Sequence, residues 1–505
     1  MMFSKKSQVT SLPAPVGGLN GKDALANMPP TDAWKMDNWF PEPSSVSLRN
    51  GSVTWCNNIT GSVETLAAYN SATGSKLFAA CGANIYDVTA QGNTGAAVVT
   101  GLTSARWQYV NYGNPAGQWL IMCNGQDHVQ TYNGTAWAAS TITGVADTTL
   151  INVCVFKNRL FFIQKNTMSF WYLAVNAVGG AASQFDLTSL FKLGGYLVSC
   201  TPWTIDTSGS GIIDYLIFMS SMGEVVMYQG SDPSTAGSWS IAGQFRVGRP
   251  VGYRCFQKIG SDVVFIGADG LYPMSKALLT DRSQTQDAVT NKIVNIINND
   301  VQSYGNNWGW QVILYPIGNK VIINVPQLTN QIQYQYVMNT VTGAWCRFTG
   351  WNANCFEIIG DNIFYGGLNK VVQCDVGQND EGAAITADTG QAFNYFGQSG
   401  VQKRFTAARP IISANAAITP SLIMNINFDD TAPTNVISFS NTAFSQWNTS
   451  PWNTSPWSSS NKIRSDWQSI YGIGFCGSPR IAISAKNAIV TWQSTDIVYE
   501  PGGTF

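Results

Sequence analysis

The hydrophobic positions fall in short runs broken by Gly-rich turns, and one run sets the pattern for the rest. Asp262–Met274 reads DVVFIGADGLYPM. Val263, Val264, Phe265 and Ile266 form an apolar arm, Gly267-Ala268-Asp269-Gly270 supplies the turn, and Leu271-Tyr272-Pro273-Met274 runs back. An apolar arm, a Gly-rich turn and a return arm predict a β-hairpin, because glycine enters positive φ without steric cost. The same pattern recurs at Lys76–Val88, Gln118–Tyr132, Arg159–Tyr172, Tyr215–Tyr228 and Asp361–Asp375, with a weaker copy at Lys320–Val325. Phe78, Leu120, Phe161, Ile217, Phe265, Ile322 and Phe364 hold equivalent places in the first arms, about 41 to 57 residues apart. A hairpin returning at such a period predicts the blades of a β-propeller, since one hairpin cannot bury both of its own faces and must stack on neighbours. An ordinary antiparallel sandwich is the competing expectation.

A second punctuation supports the repeat. A Gly-containing turn shortly precedes Trp137, Trp239 and Trp345, each time after a Tyr- or Val-rich strand, and a large ring there can pack between stacked blades. One segment breaks the β rhythm. Over Thr285–Gln302, Val289, Ile293, Ile296, Ile297 and Val301 recur at helical spacing and predict a helix near 285–302, inserted between blades.

The ends of the chain differ from the middle. Residues 1–60 combine a Pro/Gly-rich lead-in with Trp34, Trp39 and Phe40, and read either as an extended docking arm or as a strand that closes the ring. Residues 396–505 predict a further β-domain, within which Trp447, Trp452 and Trp457 recur every five residues beside Ser-Pro steps. That spacing suits neither helix nor strand and predicts an extended tract presenting indoles. The expected fold class is therefore all-β: a β-propeller of about six or seven blades over 61–395, an extended N-terminal segment over 1–60 and an appended C-terminal β-domain over 396–505. Trp34, Trp39, Phe40, Trp447, Trp452 and Trp457 are the expected interface residues.

Composition narrows the function. Charged residues make up 11% of the 505, against roughly a quarter in an average soluble protein, so much of the surface must be Asn, Gln, Ser and Thr or lie in contacts with other chains. The net charge is −1 and no more than two basic residues are adjacent, which argues against a protein that grips nucleic acid through its phosphates. Ten cysteines without a Cys-x-x-Cys pair, several of them in predicted strands, favour buried thiols over zinc sites or a disulfide framework. No apolar run is long enough to span a membrane, and none behind Lys5-Lys6 predicts a secretory leader.

Reactive constellations are scarce. The single histidine, His128, beside Asp127, predicts a surface imidazole rather than a triad or metal ligand. Asp269, Glu224, Glu357, Asp429 and Asp430 could serve a carboxylate-pair glycosidase, but most fall at turns, which Asp favours for its own hydrogen bonding. No catalytic, metal or cofactor residues are expected.

The opening of the chain carries a resemblance. Pro15, Gly17, Gly18, Leu19 and Asn20, then Met28-Pro29, then Ala33, Asn38, Phe40 and Pro41, then Leu48, Arg49 and Gly51 form a pattern similar to the start of tail hub (nozzle) proteins of short-tailed bacteriophages. The resemblance implies a non-enzymatic virion protein, assembled in the host cytoplasm as a homo-hexamer. It implies docking on the adaptor ring, support of tail spikes, fibres or a needle, and passage of double-stranded DNA without specific binding. A carbohydrate-binding or glycan-cleaving β-propeller is the alternative.

Overall fold

The computed structural model describes residues 7–207, 211–277, 288–437, 451, 453 and 462–502. Seven consecutive antiparallel meanders occupy the middle of the chain. They begin at Val63–Ser71, Gln108–Asn114, Leu150–Phe156, Leu197–Thr207, Phe256–Ile259, Gln311–Tyr315 and Cys355–Ile359. Each pairs antiparallel with the strand that follows it, and those second strands carry the seven equivalent residues of the sequence repeat. Phe78, Leu120, Phe161, Ile217, Phe265, Ile322 and Phe364 are all at most 1% exposed. Burial of such side chains stabilises by roughly 1.5–3 kcal/mol each, which accounts for a hydrophobe at every equivalent place.

The meanders stack in sequence order and return to the start. Val63–Ser71 lies against Gln108–Asn114, which lies against Leu150–Phe156, and that strand against Leu197–Thr207. Leu197–Thr207 touches Asp262–Gly267, Phe256–Ile259 lies against Gln311–Tyr315, and Gln311–Tyr315 against Cys355–Ile359. Cys355–Ile359 then packs on Val63–Ser71, so the last meander meets the first in a propeller-like succession. The tryptophans after the turns open the fourth strands of their meanders, Trp137–Ala139, Trp239–Arg246 and Trp345–Phe348. Trp239 stacks on Phe161 of the preceding meander, centroids 6.1 Å apart, and Trp137 meets Phe78 edge-on at 4.9 Å.

The N-terminal segment is woven into the rest rather than extended from it. Ser52–Asn57 pairs antiparallel with Val371–Cys374 and so supplies the fourth strand of the seventh meander. Gln8–Pro13 pairs with Val490–Pro501, Asp32–Asp37 with Ile385–Gln391, and Val46–Leu48 with both Trp39–Pro41 and Val490–Pro501. Together with Lys403–Ala414, Ser421–Ile426, Gln468–Gly474 and Gly477–Ala485 these strands make two packed sheets, one continuous through Asp32–Asp37 with the sixth meander. The expected helix is present as a short 3-10 turn at Asn291–Ile293 followed by an α-helix at Val294–Tyr304. Ile293 and Ile297 are fully buried, and the helix packs on Lys320–Leu328 of the sixth meander.

The residues of the opening motif hold the junction between these parts. A Cβ on Gly17 would sit 2.0 Å from Asp32 Oδ1, and one on Gly18 (φ +81°) would sit 2.4 Å from the Trp345 carbonyl oxygen. Asn20 donates to Asp23 and Asp32, and Lys292 pairs with Asp32 at 2.8 Å. Arg49, its side chain 1% exposed, forms a two-pronged pair with Asp380 at 2.6 and 3.0 Å. It also donates to Asn38 Oδ1 and to the carbonyls of Asn50 and Thr349, and its guanidinium lies 4.8 Å over Trp351. Such a fork saturates a planar donor set that lysine could not.

Candidate functional site

The residue types that carry chemistry are dispersed. His128 is largely exposed and holds Asp147 through Nδ1 at 2.9 Å. Glu224 is buried with its carboxylate accepting from the Lys192 and Leu193 amides, which ties down a loop. Asp269 lies in the turn between Asp262–Gly267 and Gly270–Pro273, and Asp429 accepts from the Asp430 amide and the Thr431 hydroxyl. Glu357, on the first strand of the seventh meander, differs: burial pushes its carboxyl up to about 8. Among the described residues no group of three or more His, Cys, Asp or Glu is placed to hold a metal ion. No helix among them is long and apolar enough to cross a membrane.

One side chain gathers polar groups from several meanders. Arg254 donates to Thr65 Oγ1 at 2.8 Å and to the Trp107 carbonyl at 3.1 Å. Its other terminal nitrogen donates to Gln311 Oε1 at 3.3 Å, and its guanidinium lies 5.1 Å over Trp308. One arginine thus reaches residues of the first and sixth meanders and the approach to the second. Burial lowers its pKa, as desolvation disfavours the charged form. Next to it lies a cleft of about 450 Å³ bordered by Asn152, Ser199, Thr201 and Gln257. Cys154 and Cys200 also border it, their sulfurs 3.0 Å apart, and all ten cysteines are buried and free.

The expected interface aromatics have separate fates. Trp39 is fully buried, meets Trp492 edge-on at 6.1 Å, and belongs to the main core. Phe40 is 9% exposed and packs on Phe348 at 6.3 Å. Strands that return from residues 345–348 and 490–501 cover both within the chain, leaving Trp39 no surface and Phe40 little. Trp34 is half-buried, donating from its indole to Ser478 Oγ at 3.2 Å beneath Arg480. Trp447, Trp452 and Trp457 lie outside the described residues.

Large apolar groups are exposed on the outer face of the sheet holding Lys403–Ala414 and Val490–Pro501, as Ile212, Val341, Ile317 and Leu368 are elsewhere. Tyr471 is 80% exposed, Ile463 65%, Val9 61% and Ile473 53%, and Trp467 lies at 4.8 Å from Arg409. The alternation of Gln468–Gly474 was the available signal, because Ser469, Tyr471 and Ile473 all point away from the buried Ile470, Gly472 and Gly474.

No protein-family model and no curated protein matches the chain. Among solved structures it is similar to BBS1N in complex with ARL6DN, in mercury- and lead-soaked crystals. Identity is 9%, covering 64% of this chain and 96% of that chain, with TM-scores of 0.39 and 0.40. It is similar also to the computationally designed Ika8 protein, at 10% identity over 67% of this chain and 95% of that chain, with a TM-score of 0.35. Likenesses this remote carry no argument about what the chain does.

Proposed function

We propose that the chain is a structural, ring-forming subunit, the tail nozzle of a short-tailed phage. In this reading the seven meanders are blades of one propeller, closed by the Ser52–Asn57 strand and joined to a β-sandwich. The observation that carries the reading is the placement of the opening motif. Gly17, Gly18, Asn20, Asn38, Arg49 and Gly51, the residues that give the resemblance, are the ones that lock the propeller to the sandwich. A motif that specifies this two-part body is what related nozzle subunits would share.

The central Arg254 bears on how DNA would pass. Arg254 gathers Thr65, Trp107 and Gln311 beside a cleft of about 450 Å³, and in this reading the conduit for DNA runs between subunits arranged in a ring. Closed blades and few free edges suit such a rigid block. The subunit is expected to be non-enzymatic, to dock on an adaptor ring and to support spikes or fibres. Electron micrographs and sedimentation of the purified chain test the reading: sixfold rings are expected, and a monomer at every concentration would overturn it.

A further inference from the structure

We propose that the cleft beside Arg254 is a binding site for a small carboxylate that carries hydroxyl groups, with the guanidinium receiving the carboxylate. The site stands apart from the ring-subunit reading and asks nothing of assembly. Polar residues of the meanders' first strands fall at one level. Thr65, Tyr109, Asn152, Ser199, Gln311 and Cys355 each pair with the residue two places beyond the equivalent hydrophobe of their meander. Arg254 stands two places before Phe256, the partner of Phe265, and so takes the fifth meander's place in that row. The cleft of about 450 Å³ opens beside this row, bordered by residues of the second to the sixth meanders. A volume of that order holds a small organic ligand.

Donors outnumber acceptors there. Gln108 borders the cleft, is 8% exposed, and its amide nitrogen is buried without a hydrogen-bond partner, as is Arg254 Nε. Asn152, 6% exposed, has its amide oxygen taken by the Cys200 amide at 3.1 Å and thiol at 3.3 Å, which leaves its NH2 group to donate elsewhere. The partners of Arg254 are neutral oxygens: the Thr65 hydroxyl, the Gln311 amide and the Glu64 and Trp107 carbonyls. The Glu64 carboxylate is held instead by Arg106, at 3.0 Å, and by Asn330. None of the residues bordering the cleft is acidic, so the guanidinium has no counter-ion there. A desolvated cation without one is costly, and so are buried donors left unpaired. An anion entering the cleft relieves both costs. The surroundings select its class. One positive charge and a planar donor set match a carboxylate better than a phosphate, which carries about −1.5 to −2 at neutral pH. Asn152, Ser199, Thr201 and Gln257 offer amide and hydroxyl groups to a ligand's hydroxyls, while Val110 and Phe256 give an apolar wall for its carbon skeleton.

The test titrates the full-length chain by isothermal calorimetry with glucuronate, with glucose as its uncharged counterpart and with inorganic phosphate. Saturable binding of glucuronate at millimolar concentration or below is expected, with glucose and phosphate at least tenfold weaker. Arg254→Gln should weaken glucuronate at least tenfold. Because Arg254 also braces several meanders, a second variant leaves it in place: Thr201→Trp fills the cleft from the fourth meander, and should keep the circular dichroism spectrum and abolish binding. If either variant fails to fold, the comparison of the three probes on the unaltered chain still decides. Glucose binding as well as glucuronate, phosphate binding more tightly, undiminished binding by a folded variant, or no binding of glucuronate at millimolar concentration would each overturn the proposal. None of these outcomes bears on whether the chain forms rings.

Discussion

Replacing Arg49 with alanine is the sharpest perturbation of the junction. The side chain is 1% exposed and makes five hydrogen bonds, two to Asp380 and one each to Asn38, Asn50 and Thr349. Removing one partner of a buried pair costs about 3–5 kcal/mol, because the remaining charge stays buried without its counter-ion. Asp380 keeps the Ser52 hydroxyl at 3.1 Å and the Trp351 indole at 3.4 Å, which places the expected loss near the lower end, about 3 kcal/mol. Arg49→Lys keeps the charge but loses the fork and should cost less. Guanidinium unfolding would measure the loss, and Arg49→Ala combined with Asp380→Ala should cost clearly less than the two singles added. Amide exchange gives a local check. Arg49 immediately precedes the Ser52–Asn57 strand, so exchange there and in Val371–Cys374 should accelerate together. A loss below about 1 kcal/mol, or unchanged exchange in both strands, would refute the junction argument.

Further outcomes follow from other sites. Glu357 is protonated in the folded chain up to about pH 8 and ionises near its ordinary value when unfolded. Stability from this group is therefore full below about pH 4.5 and is lost as pH rises toward 8, by ~1.4 kcal/mol for each pH unit climbed between the two. Melting curves of Glu357→Gln should lose that slope, and an unchanged profile would refute the assignment. Gly51→Ala should destabilise by more than Arg49→Lys, since its Cβ would lie 1.9 Å from the Asn379 carbonyl oxygen; thermal melts would decide. Alkylation of the denatured, unreduced chain should modify all ten cysteines, and a stoichiometric disulfide in mass spectra would contradict this. Mild peroxide should couple Cys154 to Cys200 before any other pair, the two thiols giving one disulfide while the peroxide is reduced to water, and a different first pair in peptide maps would contradict the geometry.

Local features were legible in the sequence and distant pairings were not. The hairpin repeat and the tryptophans after turns are encoded within some twenty residues, so Phe265 and Trp239 could be placed from their neighbours alone. The wider gaps between Phe161 and Ile217 and between Phe265 and Ile322 mark long connections, the second holding the Val294–Tyr304 helix. Pairing of Ser52–Asn57 with Val371–Cys374 joins residues more than three hundred apart, and no local pattern announces it. Trp39 and Phe40 show the limit differently. A row of aromatics reads alike whether another chain or a distant strand of the same chain covers it. Tyr471 and Ile473 sat in a plain alternating strand, and only the sheet shows that their side is the outer one.

The way the meanders and the two packed sheets are fastened sets a timetable for synthesis. Gln8–Pro13 leaves the ribosome well ahead of its partner, because 490 − 13 = 477 positions separate it from Val490–Pro501. At about 5–20 residues per second the gap lasts from roughly half a minute to more than a minute and a half. During that time an uncharged, ladder-ready strand waits with no partner on either side. Chains made close together on one message therefore face a choice between finishing themselves and capturing each other.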